Sequence, residues 1–365
     1  MEDVFTASQQ LAPVYPRYSA AVTGFRNYWY PVAFSRDLGS KPLARTLCGE
    51  AIALFRDNGR VYALHDRCPH RGIPLSRGRK EFPGTISCMY HGWTYALDDG
   101  QLVAVITDGP DSPICGKATV AVKSYPAEER AGLIWVYLGS EPAPPLEADV
   151  PAELLRSDTV LEGTCLLRTG NWRYAMENGV DEGHAKYQHR RALWYFFREN
   201  PAWAKAVRTF PSEDGVWLER SRGEVVYSDV YGGPARQLGR WPPKGPHFWQ
   251  SRSRGITGMS LRLPCIMRQR QQGWTEYQIY VPWDADHYLG FLLAAKWTTG
   301  LDALVFRARY HAYIRWIKHE AFYGEDQLAI DLMSIPPERL YRPDVAITAW
   351  RRFCEDNARR PAAGE

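Results

Sequence analysis

The chain has 365 residues, of which 45% are hydrophobic and 24% are charged, and its formal net charge is +4. A chain of this length forms about two globular domains, and because its charge is spread out, no basic block indicates a nucleic-acid-binding face. The cysteines are too scattered for a disulfide framework, and the N-terminus lacks the features of a signal peptide, so we predict a cytoplasmic protein without a membrane span.

Composition changes along the chain divide it into three parts. Residues 1–27 predict a helical segment that packs with the second domain. Residues 28–145 are rich in short strand signals and form the first predicted domain. The segment SEPAPPLEADVPAEL, with several prolines and acids, then marks a connection before the second domain at residues 152–365.

Two hairpins and one buried strand are predicted in the first domain. EAIALFRDNGRVYALHD alternates apolar and polar residues on both sides of Asn58 and Gly59, the strongest local signal for a hairpin turn. TYALDDGQLVAV repeats this pattern around Asp99 and Gly100, and GLIWVYLGS predicts a buried strand.

The second domain mixes helical and strand patterns. NWRYAMENGVDEGHAKYQH has helical character, whereas residues 213–295 alternate and predict a sheet, with EYQIYVPWD as its clearest strand. Leu301 to Met333 predicts helix, with a break at Gly324. We therefore expect an α+β protein whose first domain is all-β.

Two ligand pairs, in CPHRG and CMYHGW, dominate the first domain. They place Cys68 and His70 in one loop and Cys88 and His91 in another. The residues could be unrelated, or they could bind a structural zinc ion, although mixed and closely spaced pairs are unusual for zinc fingers. A Rieske [2Fe–2S] centre, in which two Cys hold one iron and two His the other, fits the two mixed pairs better.

The two loops closely resemble those of the Rieske family. The resemblance implies that Cys68 and Cys88 bind the inner iron of the cluster, and that His70 and His91 bind the outer, more exposed iron. Because imidazole replaces thiolate at the outer iron, such a cluster has a higher reduction potential than an all-cysteine cluster.

A second group of ligand types occurs in NGVDEGHAKYQHR. Asp181 and His184 would share a helix face, whereas His184 and His189 would meet only if the helix bends or ends between them, which Gly183 would permit. The alternative is a solvent-facing helix whose histidines are unrelated.

NWRYAMENGVDEGHAKYQHR resembles the mononuclear-iron motif of Rieske non-haem iron ring-hydroxylating oxygenases. The resemblance implies that His184 and His189 bind Fe(II) with one carboxylate, and in HEAFYGEDQLAIDLM it selects Asp326. A 2-His-1-carboxylate site leaves open positions on iron for dioxygen. The other acids of this segment are Glu320, Glu325 and Asp331.

The resemblance also implies an architecture and partners. The second domain would be a catalytic domain of helix-grip type, with an antiparallel sheet covered by helices, in a homotrimer. Electrons would pass from NAD(P)H through a flavin reductase or ferredoxin to the cluster, and then to the iron of the neighbouring subunit. Asp181 would bridge His91 and His184 across that interface, and Asn178 and Phe322 would line the substrate pocket.

The expected reaction is hydroxylation of an aromatic or heteroaromatic compound with O2, with dihydroxylation favoured. The five-residue spacing of the two His in HAKYQH also resembles monooxygenases that act as O- or N-demethylases, and the sequence does not separate the two reactions. A Rieske electron carrier without oxygenase activity is the third possibility. The chain length opposes it, because a cluster domain needs only about 100–150 residues.

Overall fold

The computed structural model describes residues 14–140, 142–181, 184, 188–196, 207–212, 215–220, 258–271, 273–333, 338–341 and 344–360. Contacts group the chain into two compact units. Unit 1 contains the chain up to Val22, Asp158–Tyr280 and Asp286–Ala358; unit 2 contains Thr23–Ser157, Val281–Ala285 and the residues from Arg359 onward.

Unit 2 is built from short strands joined by turns, which confirms the predicted all-β character of the first domain. Its strands form three antiparallel sheets with the orders β1-β10-β9, β2-β3-β4-β8 and β5-β6-β7. The strands are β1 (Tyr28–Phe34), β2 (Leu43–Leu47), β3 (Glu50–Asp57), β4 (Arg60–His65), β5 (Thr85–Ser87), β6 (Trp93–Ala96), β7 (Leu102–Val105), β8 (Ser124–Tyr125), β9 (Ala127–Arg130) and β10 (Leu133–Leu138).

The hairpin of β3 and β4 confirms the first predicted turn. Asn58 and Gly59 both have positive φ, 46° and 76°, as a two-residue turn of this type requires. Strands β6 and β7 also pair, but their connection is the longer segment Leu97–Gln101, so a two-residue Asp-Gly turn was the wrong prediction there. The predicted buried strand GLIWVYLGS is β10, whose residues are all buried.

Unit 1 centres on a seven-stranded sheet with the order β11-β17-β16-β15-β14-β13-β12. The pair β11–β17 and the neighbours from β12 to β16 run antiparallel. The strands are β11 (Thr159–Thr169), β12 (Val207–Ser212), β13 (Gly215–Arg220), β14 (Gly258–Arg262), β15 (Ile266–Gln271), β16 (Trp274–Pro282) and β17 (His287–Trp297). The predicted strand EYQIYVPWD is β16.

Helices pack on this sheet, which confirms the predicted combination of antiparallel sheet and helices. Buried side chains of Leu292 and Ala294 on the sheet share a core with Phe306, Ile314 and other helical residues. The helices are α1 (Pro16–Ala20), α2 (Trp172–Val180), α3 (Leu193–Phe196), α4 (Gly300–Arg309), α5 (Tyr323–Leu332) and α6 (Val345–Asn357).

The chain between α4 and α5 remains helical but changes its winding. Tyr310–Phe322 forms a π-helix, and α5 follows directly at Tyr323. The predicted break at Gly324 is therefore wrong: Gly324 lies within the first turn of α5. A glycine lowers helix propensity by only about 1 kcal/mol, which packing of the flanking turns outweighs. Among the described helices, none is both long and apolar enough to cross a membrane.

Candidate iron and cluster sites

The two predicted cluster loops have the same backbone geometry. In the first, the Cys68 N–H donates to Ile73 O at 2.9 Å and the Gly72 N–H donates to Cys68 O at 2.8 Å. In the second, the Cys88 N–H donates to Trp93 O at 2.8 Å and the Gly92 N–H donates to Cys88 O at 3.0 Å. Both glycines have positive φ, 71° and 65°, a conformation that glycine adopts at little cost.

These loops bury the cysteines and leave the histidines near the surface. Cys68 and Cys88 are 2% and 4% exposed and belong to the apolar core of unit 2. The ring centroids of His70 and His91 lie 4.5 Å apart, and the Trp93 ring stacks on His70 at 4.7 Å. Partial desolvation and the nearby His91 and Arg71 lower the pKa of His70, which favours the neutral imidazole that a metal ligand needs.

Hydrogen-bond donors surround the two sulfurs. The Tyr95 hydroxyl lies 3.2 Å from Cys68 Sγ, and backbone N–H groups of Tyr90 and His91 face Cys88. Burial and the neighbouring Cys68 raise the pKa of the Cys88 thiol, which the backbone donors only partly offset. Two buried sulfurs with donors around them, one exposed imidazole and one half-buried imidazole fit the asymmetric donor set of a Rieske cluster.

The second group of residues is brought together in unit 1 because helix α2 ends before it. The Asn171 side chain caps the start of α2 by accepting from the Arg173 N–H at 3.2 Å. The helix ends at Val180, and Asp181 has extended backbone with ψ 108°. The bend or helix end predicted between His184 and His189 would fall at residues 185–187, which lie outside the described residues, as does Gly183, so it stays a prediction.

His184, His189 and Asp326 converge on one point. The Nε2 atoms of His184 and His189 lie 3.2 and 2.8 Å from the same carboxylate oxygen of Asp326, Oδ1. One ligand atom from each residue lies within 4.8 Å of the others. His189 is fully buried and Asp326 is 8% exposed. Two imidazole nitrogens and one carboxylate oxygen, gathered in a buried position, fit a 2-His-1-carboxylate metal site.

Two further carboxylates face the opposite nitrogens of these imidazoles. Glu325 Oε2 lies 2.8 Å from His189 Nδ1, and Asp181 Oδ2 lies 3.5 Å from His184 Nδ1. Asp181 Oδ1 also accepts from the His184 backbone N–H at 3.3 Å. Carboxylates in this position fix the tautomer and orientation of a metal-binding imidazole.

Charged neighbours in this site outweigh the effect of burial on the pKa values of its ligands. Burial alone would lower the pKa of His184, but the carboxylates of Asp181 and Asp326 outweigh it and raise the pKa to about 9. Burial would raise the pKa of Asp326, yet His184 and His189 hold it well below its ordinary value. Asp326 is therefore a carboxylate at neutral pH and able to bind a cation.

Helix α5 and its neighbours hold the site in place. The Gln188 amide donates to the backbone oxygen of Glu325 at 2.6 Å, which fixes the turn that carries His189 against α5. The Phe322 ring stacks on His189, with centroids 3.8 Å apart and planes 22° apart. Phe322 thus contacts the site, whereas the structure places Asn178 in the last turn of α2 and shows its backbone oxygen accepting from Asp181.

The other candidate acids are engaged elsewhere. Glu320 pairs with Arg315 at 2.9 Å, and Asp331 accepts from the Gln327 amide at 2.6 Å. Sequence reasoning missed that Glu325 faces the far nitrogen of His189, and that Tyr95 contacts a sulfur. The ED pair offered a signal for Glu325, because adjacent acids can serve two atoms of one imidazole; Tyr95 carries no such local signal.

Family comparisons agree with both sites. Residues 28–126 match the Rieske [2Fe-2S] domain, and residues 137–214 match the family described as homotrimeric ring hydroxylase. The terminal oxygenase component of carbazole 1,9a-dioxygenase from a Sphingomonas species is 32% identical over 376 aligned residues, covering 96% of this chain and 97% of the relative.

Solved structures show the same relationship. The terminal oxygenase of carbazole 1,9a-dioxygenase from Nocardioides aromaticivorans IC177 is 28% identical, with a TM-score of 0.82, covering 95% of this chain and 98% of that chain. A reduced complex between oxygenase and ferredoxin in carbazole 1,9a-dioxygenase is 26% identical, with a TM-score of 0.82, covering 97% and 94%. The chain therefore belongs to the Rieske oxygenases, in the family that includes the terminal oxygenase components of carbazole 1,9a-dioxygenase.

Proposed function

We propose that this oxygenase hydroxylates an aromatic or heteroaromatic compound at an iron held by His184, His189 and Asp326, with dihydroxylation as the favoured outcome. The observation that carries the proposal is the convergence of two Nε2 atoms on one buried oxygen of Asp326. When bound at such a site, Fe(II) supplies dioxygen activation at the coordination positions that the protein leaves open.

The surrounding residues orient and shield this site. Glu325 holds His189 through Nδ1, so that Nε2 remains directed at the metal position. Phe322 covers one face of the same imidazole and keeps water from it. Asp326 stays ionised at neutral pH, because the pKa of its carboxyl group is held low.

Cys68, His70, Cys88 and His91 would hold the [2Fe–2S] cluster, which supplies one-electron transfer. The carbazole 1,9a-dioxygenase oxygenase forms complexes with a ferredoxin, which supports a ferredoxin, reduced by a flavin reductase, as the electron donor here. The exposed side of His70 and His91 is where such a donor would approach. The family description supports a homotrimer.

Asp181 would connect the two centres across a subunit interface, between His91 of a neighbouring subunit and His184 of its own. The support within this chain is its position: one oxygen faces His184 Nδ1 and the other accepts from the His184 backbone. A carboxylate that holds both imidazoles would set their orientation and basicity.

The domain limits that fit these roles are 28–145 for the cluster domain and 152–365 for the catalytic domain, with 1–27 packing on the latter. The matches to 28–126 and 137–214 support this division. A cytoplasmic location is also proposed, supported by seven cysteines that form no disulfide.

The second candidate reaction is O- or N-demethylation by monooxygenation. It is favoured by the five-residue spacing between His184 and His189, which resembles demethylating members of the family. Both reactions need the same iron and cluster, so metal content does not separate them.

The test is iron content followed by product analysis. Three irons per chain are expected for an oxygenase, and two for an electron carrier. The reconstituted enzyme is then given flat aromatic compounds alongside methoxy- and N-methyl-arenes. A cis-diol product supports dihydroxylation, formaldehyde release supports demethylation, and a protein with only two irons and no product would contradict both.

A further inference from the structure

One face of strand β16 is polar although it is buried beneath helices. Trp274, Glu276, Gln278 and Tyr280 alternate along the strand and so project from the same face. We call these residues the polar row. A sheet face covered by helices is normally apolar, and a fully buried glutamate is rare unless it is paired. Glu276 and Gln278 are nevertheless completely buried.

The π-helix and the first residue of α5 supply partners for this row. Lys318 Nζ lies 2.6 Å from Glu276 Oε2, and the Lys318 side chain is 2% exposed. The Tyr323 hydroxyl donates to Glu276 Oε1 at 2.8 Å. The ammonium also lies 4.8 Å from the Trp194 ring centroid and 5.9 Å from that of Trp274. A buried ion pair among aromatic rings combines the few polar groups and the apolar walls of a small-molecule site.

The Glu276–Lys318 ion pair lies next to the iron site. The Phe322 ring centroid is 3.8 Å from that of His189 and 5.7 Å from Lys318 Nζ. A single aromatic ring therefore separates the ion pair from an iron ligand. In addition, π-helical winding is rare in proteins and frequent at functional sites, and here it carries both Lys318 and Phe322.

Among the described residues, some polar atoms in and beside the polar row lack hydrogen-bond partners. They include the Trp274 indole nitrogen, a donor, and Gln271 Oε1, an acceptor, on two residues that are directly opposite on neighbouring strands. Trp274 is 4% exposed and Gln271 is 6% exposed. Buried polar atoms are rarely left unpaired, because each costs about 1–3 kcal/mol. A ligand with one acceptor and one donor would satisfy both.

The net charge of the buried side chains around Glu276 indicates a neutral ligand. The Glu276 carboxylate and the Lys318 ammonium cancel, and burial keeps the pKa of His319, the neighbouring imidazole, below its ordinary value. An aromatic carboxylate would meet the negative charge of Glu276, and a cationic compound would meet Lys318. A hydrocarbon would leave the Trp274 and Gln271 atoms unpaired.

We propose that the polar row, together with Gln271 and Lys318, forms the polar end of the substrate site. This end selects a neutral aromatic substrate with an adjoining hydrogen-bond donor and acceptor, as in a lactam or carboxamide. This inference rests on the proposed function, because it takes the compound bound there to be the one hydroxylated at the neighbouring iron. Trp274 and Gln271 are its specificity-determining residues.

The experiment measures binding without turnover. Three bicyclic probes of similar size, quinolin-2(1H)-one, naphthalene and 2-naphthoate, are titrated anaerobically into the holoprotein, and tryptophan fluorescence is recorded. The lactam is expected to bind at least about tenfold more tightly than either other probe, a difference of about 1.4 kcal/mol. Equal affinities, or tightest binding of naphthalene or of 2-naphthoate, would overturn the proposal.

Variants test whether the polar row causes this preference. Trp274→Phe keeps an aromatic ring but removes the N–H, so lactam affinity should fall about tenfold while naphthalene affinity is unchanged. Trp316→Phe, an exposed residue of the same π-helix, is the matched control and should bind all three probes as the wild type does. Unchanged lactam affinity in Trp274→Phe would contradict the assignment.

A second variant tests whether the ion pair is only structural. Glu276→Gln combined with Lys318→Met removes both charges, and replacing a buried pair by uncharged groups is often neutral for stability. Glu276 Oε2 accepts from the Gln271 amide at 3.3 Å and so orients Gln271 Oε1. The lactam preference should therefore weaken in this variant, and an unchanged preference would show that the ion pair is only structural. Iron and cluster content are measured on each preparation. Wild-type protein with both centres but no lactam preference counts against this inference alone, whereas wild-type protein without them counts against the proposed function.

Discussion

Glu325 and Asp326 are adjacent in sequence, yet they face opposite nitrogens of the same imidazole. Asp326 Oδ1 lies 2.8 Å from His189 Nε2, and Glu325 Oε2 lies 2.8 Å from His189 Nδ1. Asp326→Ala should therefore lose the third iron, while Glu325→Gln should retain it with about 10- to 100-fold weaker affinity. Iron analysis after dialysis at a fixed free Fe(II) concentration measures both.

The matched control for these substitutions is Glu320→Gln, because Glu320 pairs with Arg315 away from the site. It should keep wild-type iron content, and the cluster spectrum should be unchanged in all three variants. Retention of iron in Asp326→Ala together with its loss in Glu325→Gln would show that the two acids have been assigned the wrong way round.

His184 links iron binding to pH. In the metal-free protein burial opposes its protonation, but Asp181 and Asp326 raise its pKa to about 9. Iron must then displace a proton, so apparent affinity should rise about tenfold per pH unit between pH 7 and 8 and level off above 9. Because the folded pKa is raised, this proton stabilises the metal-free protein fully below about pH 6.5, and that stability is lost as pH rises through 9.

Titration of the metal-free protein with Fe(II) at several pH values gives this curve directly. In Asp181→Asn one of the carboxylates that raise the pKa of His184 is absent, so the affinity should level off at a lower pH. An affinity that is independent of pH in the wild type would mean that His184 is already neutral in the metal-free protein.

Tyr95 offers a test of the cluster site by its reduction potential. Its hydroxyl lies 3.2 Å from Cys68 Sγ, and hydrogen bonds to cluster sulfurs stabilise the reduced, more negative state. Tyr95→Phe should lower the potential by tens of mV, since about 59 mV corresponds to a tenfold change in a one-electron equilibrium. Tyr62→Phe, a partly buried tyrosine packed against the same core, should leave the potential unchanged. Equal potentials in the two variants would exclude the sulfur contact.

At the scale of single residues, the sequence indicated ligand types but not which acid binds. Spacing left His184 and His189 open to the alternative of unrelated histidines on a solvent-facing helix, and the resemblance selected them as ligands. Glu320, Glu325, Asp326 and Asp331 all lie within one helical stretch, where periodicity alone does not distinguish neighbours, and only the resemblance selected Asp326. The ion pair of Glu276 and Lys318 could not be predicted, because it joins distant segments of the chain.

The cluster loops allow a comparison at the scale of structural elements. Gly72 and Gly92 occupy equivalent positions with φ of 71° and 65°. A Cβ at Gly72 would meet nothing within 4 Å, whereas one at Gly92 would lie 2.6 Å from the Ile106 Cβ. Gly72→Ala should therefore lower the free energy of unfolding by about 1–2 kcal/mol, the cost of a left-handed backbone conformation in alanine. Gly92→Ala should lower it by distinctly more.

Thermal unfolding and cluster retention in the two variants measure this difference, and each variant serves as the control for the other. An equal loss of stability in the two variants would indicate that Ile106 moves aside without cost. A larger loss in Gly72→Ala would contradict the geometry of the second loop.

Elements with local signals were predictable, and those set by packing were not. The turn at Asn58 and Gly59 was predicted because positive φ is encoded by the two residues themselves. Around Asp99 and Gly100 the predicted hairpin also forms, but its turn is longer. A Cβ at Gly100 would lie 1.9 Å from Val122 O, so this glycine also permits a close approach to another segment. The π-helix at Tyr310–Phe322 has no distinct period in the sequence, and its winding depends on the buried partners of Lys318 and His319.

For the whole molecule, the main question is how electrons reach the iron. The cluster ligands and the iron ligands belong to two separate compact units of the chain. If Asp181 joins His91 of a neighbouring subunit to His184, the active protein must be an oligomer, and the subunits must exchange electrons. Sequence could suggest this arrangement only through the family, because a symmetric interface leaves no pattern of its own within one chain.

Asp181→Asn tests this link in the assembled enzyme. The change keeps the size and hydrogen-bonding capacity of the side chain but removes the charge that faces His184 Nδ1 at 3.5 Å. Cluster colour, most of the iron and reduction of the cluster by external dithionite should be retained. Oxidation of the pre-reduced cluster in a single turnover with substrate and O2 should instead slow by orders of magnitude, because neither imidazole is held in its orientation.

Asp356→Asn, an exposed acid on α6, is the control and should react at the wild-type rate. A surface acid with no role in transfer costs within about 0.5 kcal/mol of stability when replaced and changes no rate. A wild-type single-turnover rate in Asp181→Asn would place Asp181 in that class. A strictly monomeric protein with full activity would also exclude the link, because electrons would then have to pass within one chain.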